Sequence, residues 1–299
     1  MNLSIKIGNV LFKNPVTVAS GTFGYIKEYS SISDLKKLGA IVPKTVTLQS
    51  REGNPSPRIV ETPSGMVNAI GIENKGADDF IHGKLKELKK IGTPIIASVS
   101  AHNDEDFIAL TEKFNTAGVS ALELNLSCPN LKHKTLVAQD EKATYRIVKA
   151  VKKISRMPII AKLTPNVTDV SLIAQAAQDA GADAVSLVNT FSAMVIDIYK
   201  KKSKIGNVTG GLSGPAIRPI AVYMVYKTAQ RIKIPIIAMG GIMGAEDAIE
   251  FIMVGASMVS VGTSSFVNPK APVEVLDGIK NYMKKNNIKD IKELIGIIK

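Results

Sequence analysis

Eight short runs rich in valine, isoleucine and alanine recur along this chain, and a stretch of helical periodicity separates most neighbouring pairs. The runs are Val16–Ser20, Ala40–Lys44, Ile95–Ser100, Ser120–Asn125, Ile159–Leu163, Ala184–Asn189, Ile236–Gly240 and Met258–Gly262. The helical stretches include Asp104–Ala117, Ala143–Ser155, Asp169–Ala180, Ala216–Ile232 and Ala245–Val254. Glycines at 39, 118, 181 and 255 stand just before the next run, where a helix is expected to stop. Strand–helix alternation of this kind predicts the α/β class. Eight units predict one closed (β/α)8 TIM barrel over residues 1–299, a single domain, rather than an open sheet. The prefix Leu3–Asn14 reads as an N-terminal β-hairpin turning at Gly8-Asn9 across the barrel bottom. The tail Asn281–Lys299 reads as a surface helix.

Three connections are longer than packing requires: Thr45–Asn74, Leu126–Lys142 and Thr190–Pro215. Each follows a strand, so each is a long loop on the C-terminal face, where barrels keep their sites. The same face should collect the polar residues that end the strands. These are Ser20 and Thr22, Lys44 and Thr45, Ser98 to Ser100, Asn125, Lys162, Asn189 and Thr190, Gly240 and Gly241, and Gly262 and Thr263. A lysine near a barrel interior must pair with an acid or bind an anion. Lys44 and Lys162 are framed by apolar neighbours with no adjacent acid, so either a structural ion pair or an anionic ligand would account for them. Glycine clusters after strands seven and eight are placed to hold a phosphate on backbone N–H groups. Gly210-Gly-Leu-Ser-Gly-Pro-Ala216 adds a loop that permits close approach. A phosphorylated cofactor is the inference, and with no GxGxxG after the first strand it is not held by a Rossmann motif.

Cys128 is the only cysteine in the chain. It can form no internal disulfide and hold no cluster alone, which leaves packing or thiol chemistry. Its setting, Glu123-Leu-Asn-Leu-Ser-Cys-Pro-Asn130, is a strand running out into polar residues, and that favours chemistry. One cysteine, no apolar leader at Met1 and no long apolar run point to a soluble, cytoplasmic protein with no membrane contact. The net charge of +12 comes from lysines spread over helical faces, without the interleaved aromatics of a base-stacking surface. It reads as a solvated exterior rather than a nucleic-acid site. His82, His102 and His133 show no metal-ligand spacing and read as surface residues.

Taken in order, Ala19-Ser-Gly-Thr-Phe-Gly24, Gly53-Asn-Pro-Ser-Pro-Arg58, Glu61-Thr-Pro-Ser-Gly-Met66, Asn68-Ala-Ile-Gly-Ile72, Asn125-Leu-Ser-Cys-Pro-Asn130, Lys162-Leu-Thr-Pro165, Asn189-Thr190 and Ser213-Gly-Pro-Ala216 form a specific set. The chain resembles the catalytic subunit of class 1 dihydroorotate dehydrogenase, most closely the B subclass, over nearly its whole length. That resemblance implies an FMN flavoprotein that oxidises dihydroorotate to orotate in pyrimidine biosynthesis. It implies Cys128 as the base for the C5 proton, with hydride passing from C6 to the flavin. Ser20, Lys44, Thr45, Asn125, Lys162, Val188, Gly214, Gly240, Gly241, Gly262 and Thr263 match flavin contacts. Lys44, Asn68, Ala69, Ile70, Gly71, Ile72, Asn125, Asn189 and Thr190 match substrate contacts. The Cys128 loop would act as a lid.

The B subclass sends electrons to NAD through a second subunit carrying FAD and an iron–sulfur cluster. The implied assembly is a homodimer core within a heterotetramer. A class 1A-like homodimer using fumarate, a related dihydropyrimidine dehydrogenase, and a non-catalytic flavin-binding subunit are the alternatives. One departure stands out: Ser98 occupies a position where the family usually has asparagine, so a direct flavin contact there is in doubt.

Overall fold

In the computed structural model, residues 1–25, 28–29, 32–127 and 137–298 are described. Seven of the expected strands form one parallel sheet. In chain order they are Val16–Val18, Ile96–Val99, Ala121–Asn125, Ile159–Lys162, Ala184–Leu187, Ile236–Ala238 and Met258–Val261. From the second onward each pairs with its chain neighbour in parallel register, and the last returns to pair with the first through Val259↔Val16 to Val261↔Val18. Nearly every residue of these strands is buried, because helices cover one face and the barrel lumen the other.

Ala40–Lys44 does not form a strand. Segment 39–46 instead closes the barrel through isolated bridges, Ile41↔Ile95 and Val46↔Val99. Gly39 donates its N–H to Val16 O at 2.9 Å on one side, and Ile41 donates to Pro94 O at 2.9 Å on the other. The ladder breaks between the bridges for two reasons: Pro43 has no N–H, and Lys44 spends its own on Gly24 O at 2.9 Å. The break turns Lys44 toward the barrel mouth.

The helices begin where side-chain acceptors cap them. Asn103 accepts from Asp106 N at 2.7 Å to start Asp104–Phe114. Asp140 accepts from Ala143 N at 2.9 Å to start Glu141–Ile154, and Asp169 accepts from Ser171 N at 2.9 Å to start Val170–Asp179. Arg218–Arg231, Ala245–Met253 and Ala271–Lys285 complete the later part of the ring. Each lays an apolar stripe on the sheet, as Phe107, Leu110 and Phe114 do for the first. Burying each such aromatic contributes about 2 kcal/mol.

The N-terminal hairpin is present as Ile5–Ile7 and Val10–Phe12, in the register Ile7↔Val10. Its turn lies against Pro158 and Asp183, which precede strands five and six, so it covers the bottom of the barrel. The tail is not a surface helix. The last long helix starts earlier, at Ala271, and ends at Lys285. The segment after Lys285 packs back on the N-terminus: Asn2 N donates to Lys289 O at 2.7 Å and Ile291, fully buried, donates to Asn2 O at 2.9 Å.

Two of the long loops contain unexpected order. Phe191–Ala193, Gly210–Ser213, Gly65–Asn68 and Ile59–Thr62 form a four-stranded antiparallel sheet in that spatial order. It stands above the C-terminal face and forms one wall of a cavity there.

Candidate active site

The C-terminal face opens into a cavity of about 610 Å³, a size typical of small-molecule sites. Its floor and one side come from barrel strand ends. Ser20, Lys44, Thr45, Asn125, Lys162, Val188, Gly240, Gly241, Gly262 and Thr263 all line it, joined by Gly214. The opposite wall comes from the small sheet and the strand that leads into it: Asn68, Ile70, Gly71, Ile72, Asn189 and Thr190 also line it. Residues from nine separate chain segments therefore converge on one space. Ala69 does not share it; its side chain is buried in a small separate core with Val67 and Ile205. Cys128, and with it the expected lid, lies outside the described residues.

The floor is a linked set of hydroxyls around one ammonium. Lys162 is 5% exposed, and its Nζ donates to Ser20 Oγ at 3.2 Å. Thr45 Oγ1 bonds Ser98 Oγ at 2.9 Å and reaches Ser20 Oγ at 3.4 Å. Ser98 is thus buried beneath Thr45 and not part of the lining, and it acts by fixing the Thr45 hydroxyl. Neither Lys162 nor Lys44 forms an ion pair among the described residues. A buried ammonium with a single hydroxyl partner keeps donors free for an anion.

The far end of the cavity is built from backbone. Gly241 has φ +76°, and a Cβ there would come within 2.7 Å of Arg218 Cβ and 2.9 Å of Gly214 O. Only glycine lets the chain pass this close. Arg218 pairs with Asp247, which in turn accepts from Met243 N at 2.8 Å and Gly244 N at 3.0 Å, holding the loop after strand seven. Thr263 Oγ1 donates to Ser213 Oγ at 2.8 Å, tying the loop after strand eight to the small sheet.

The wall that carries Asn68 to Ile72 is cross-braced. Asn54 donates through its amide to Ala69 O at 3.1 Å and through its N–H to Ile70 O at 3.1 Å. Arg58 reaches Glu52 O at 2.8 Å and pairs with Glu73. Between these braces Ile72 is held at φ +53°, a conformation that β-branched residues rarely adopt and that concentrates at functional sites.

Ser127, Tyr29 and Glu28 also line the cavity, and none of them was given a site role from the sequence. Ser127 presents a buried hydroxyl with no partner among the described residues and directly precedes Cys128 in the chain. Tyr29 and Glu28 stand at the mouth. Burial and then the Glu28 charge push the Tyr29 phenol above its usual range, and its OH donates to Thr22 O at 3.2 Å. Among the histidines, His82 is exposed as expected, but His102 is half-buried and accepts from Arg51 Nη1 at 2.7 Å. His133 lies outside the described residues. The described residues contain no cluster fit for a metal ion and no helix long and apolar enough to cross a membrane.

The family model described as Dihydroorotate dehydrogenase matches residues 2–283. The chain belongs to the dihydroorotate dehydrogenase family. Full-length relatives support this. One is the "Dihydroorotate dehydrogenase B (NAD(+)), catalytic subunit" of Caldicellulosiruptor bescii, 50% identical over 299 residues, with 100% of this chain and 99% of the relative covered. Proteins of the same description from Lachnoclostridium phytofermentans and Alkaliphilus metalliredigens are 50% and 48% identical, covering 100% and 99% of this chain and 100% and 98% of their own length. Within this dihydroorotate dehydrogenase fold, the described residues matched to flavin or substrate contacts all line the cavity except Ala69, and Ser98 lies beneath the lining.

Proposed function

We propose that the chain, acting as one catalytic unit over residues 1–299, oxidises dihydroorotate to orotate with FMN in the barrel mouth. Electrons then pass to NAD through a second subunit. One observation carries this: Asn68, Asn189 and Thr190 on one wall of the cavity face Asn125 and two lysines on the other, and among the described residues neither lysine has a carboxylate partner. A dihydropyrimidine carboxylate offers alternating N–H and C=O groups and a negative charge, which such a set can bind.

The residues present suit FMN. The unpaired Lys162 ammonium and the Ser20 and Thr45 hydroxyls fit the polar edge of a flavin ring, and the Gly241 passage and the Gly262-Thr263 turn fit a phosphate. FMN bound there supplies the acceptor for the hydride that leaves C6 of the substrate. Asn68, Asn125, Asn189 and Thr190 orient the pyrimidine, and Lys44 offers its charge to the substrate carboxylate. The Cys128 thiolate takes the C5 proton, so that the C5–C6 double bond forms as the C5–H and C6–H bonds break. Lys162 places a positive charge where negative charge accumulates.

Redox coupling to NAD requires a partner, because this chain's one cysteine cannot hold an iron–sulfur cluster. The proposed assembly is a homodimer core flanked by electron-transfer subunits, in the cytoplasm.

Anaerobic addition of dihydroorotate to the purified chain tests the proposal. The flavin absorbance should bleach, and NAD should be reduced only after the FAD and iron–sulfur subunit is added. A protein without flavin, or a flavin that dihydroorotate leaves oxidised, would overturn it.

A further inference from the structure

Two ionisable side chains lie inside the barrel with too few partners. In parallel register Ser98 aligns with Glu123, Asn125 with Lys162, and Lys162 with Ser186. Side chains two apart on a strand share a face. Glu123 therefore lies one step below Asn125 on the inward face, diagonal to Lys162 on the next strand. It is 3% exposed. Its Oε2 accepts from Ser186 Oγ at 2.9 Å, and its Oε1 has no partner among the described residues. The other buried acid among the described residues, Asp247, has Arg218 as its cation; Glu123 has none in contact.

A buried carboxylate with one hydroxyl donor is costly, and so is a buried ammonium with one hydroxyl acceptor. In one barrel interior the two offset each other beyond contact distance, because the field between them is weakly screened by solvent or salt. The geometry points to Glu123 as the counter-charge of Lys162 and as a positioning residue that sets the reduction equilibrium of the cofactor above it, a role that rests on the FMN reading of the cavity. Lys162 alone favours the electron-rich form of the flavin. Glu123, one layer lower, opposes it and keeps the bound flavin able to give its electrons onward. A glutamate that merely filled space or accepted a hydrogen bond would be replaced by glutamine without electrical consequence.

Two measurements on the full chain test this. The first is thermal unfolding of Glu123→Gln, Lys162→Met and the double variant. Each single variant should be destabilised, and the double variant should recover part of the summed loss, since removing both charges removes the uncompensated one. Strictly additive losses would overturn the pairing. The second is the midpoint potential of bound FMN. Glu123→Gln should shift the reduction equilibrium at least tenfold toward reduced flavin, about 30 mV for a two-electron couple, while Glu123→Asp should stay near wild type. An unchanged or lowered potential in the glutamine variant would overturn the role. If that variant does not fold, Ser186→Ala, which strips the carboxylate of its one donor and leaves its charge less compensated, should move the potential the opposite way by less, and no fall there would overturn it equally. The two readings fail separately. A chain without flavin sinks the FMN assignment and leaves the unfolding cycle to decide the pair. A chain whose flavin dihydroorotate bleaches, with no shift in the glutamine variant, sinks the pair alone.

Discussion

Lys162 and Ser20 stand 142 positions apart in the chain and meet across the barrel mouth, the ammonium of the fifth strand donating to the hydroxyl that ends the first. The contact uses one of three donors on Lys162, a residue that lines the cavity. Replacing Lys162 with methionine should weaken FMN retention by about ten- to a hundredfold, the worth of a charge-assisted hydrogen bond of roughly 1.5–3 kcal/mol. Fluorescence of released flavin during dilution measures this. Retention equal to wild type would remove Lys162 from the cofactor site.

Cys128→Ala should leave flavin content unchanged and slow anaerobic bleaching by dihydroorotate about 10²- to 10⁴-fold, the usual contribution of a positioned base. Stopped-flow absorbance under anaerobic conditions is the measurement. Bleaching at the normal rate would require another base, and Ser127, whose hydroxyl is buried in the same cavity without a partner among the described residues, would be the next residue to replace.

Gly241→Ala should cost about 1–3 kcal/mol for a side chain forced into a left-handed backbone, with a further penalty from the contact with Arg218 and Gly214. Because the strain sits in the cavity wall, the purified variant should also lose flavin. Urea midpoints and the absorbance ratio of flavin to protein read the two effects. A variant with full flavin and wild-type stability would mean that the loop relaxes freely.

Asp169 gives a pH test. The Ser171 hydroxyl, acting against desolvation, holds the Asp169 carboxyl below the usual carboxylate range. A folded-state value below the unfolded one adds stability that is present above the unfolded value, about 4, and is lost as pH falls through the folded value. Asp169→Ala should therefore cost about 1 kcal/mol at neutral pH through loss of the cap, with the gap to wild type closing in acid. Asp169→Asn should keep the cap and lose the pH dependence. Urea unfolding at pH values above and below that range tests both.

Much of the architecture was legible because it repeats. Strand positions, the hairpin turn at Gly8-Asn9 and the helix starts after Asn103 and Asp169 each arise from local chemistry that neighbouring residues reinforce. The small antiparallel sheet was not legible. Its strands are three or four residues long, and Gly210–Ser213 shows no alternation; pairing across long chain separations creates it. Ala40–Lys44 read as a strand from its apolar run, and Pro43 broke the ladder. At the site, Ser20, Lys44, Asn125, Lys162 and Asn189 were found because they end strands, while Asn68 to Ile72 and Gly214, which lie in long loops, came only from the resemblance. Glu123 and Ser186 were passed over because they sit mid-strand, where alternation suggests an ordinary buried face and gives no hint that two polar side chains meet across the lumen.

The small sheet joins segments that the chain keeps far apart. Asn68 aligns with Gly211, and Thr190 packs so closely on Gly211 that no other residue would fit beneath it. This wall carries no barrel strand and shares no ladder with the lumen. Changes confined to this one hydrogen-bonded panel can therefore reshape one side of the cavity while the lysine, carboxylate and hydroxyls of the lumen keep their own contacts.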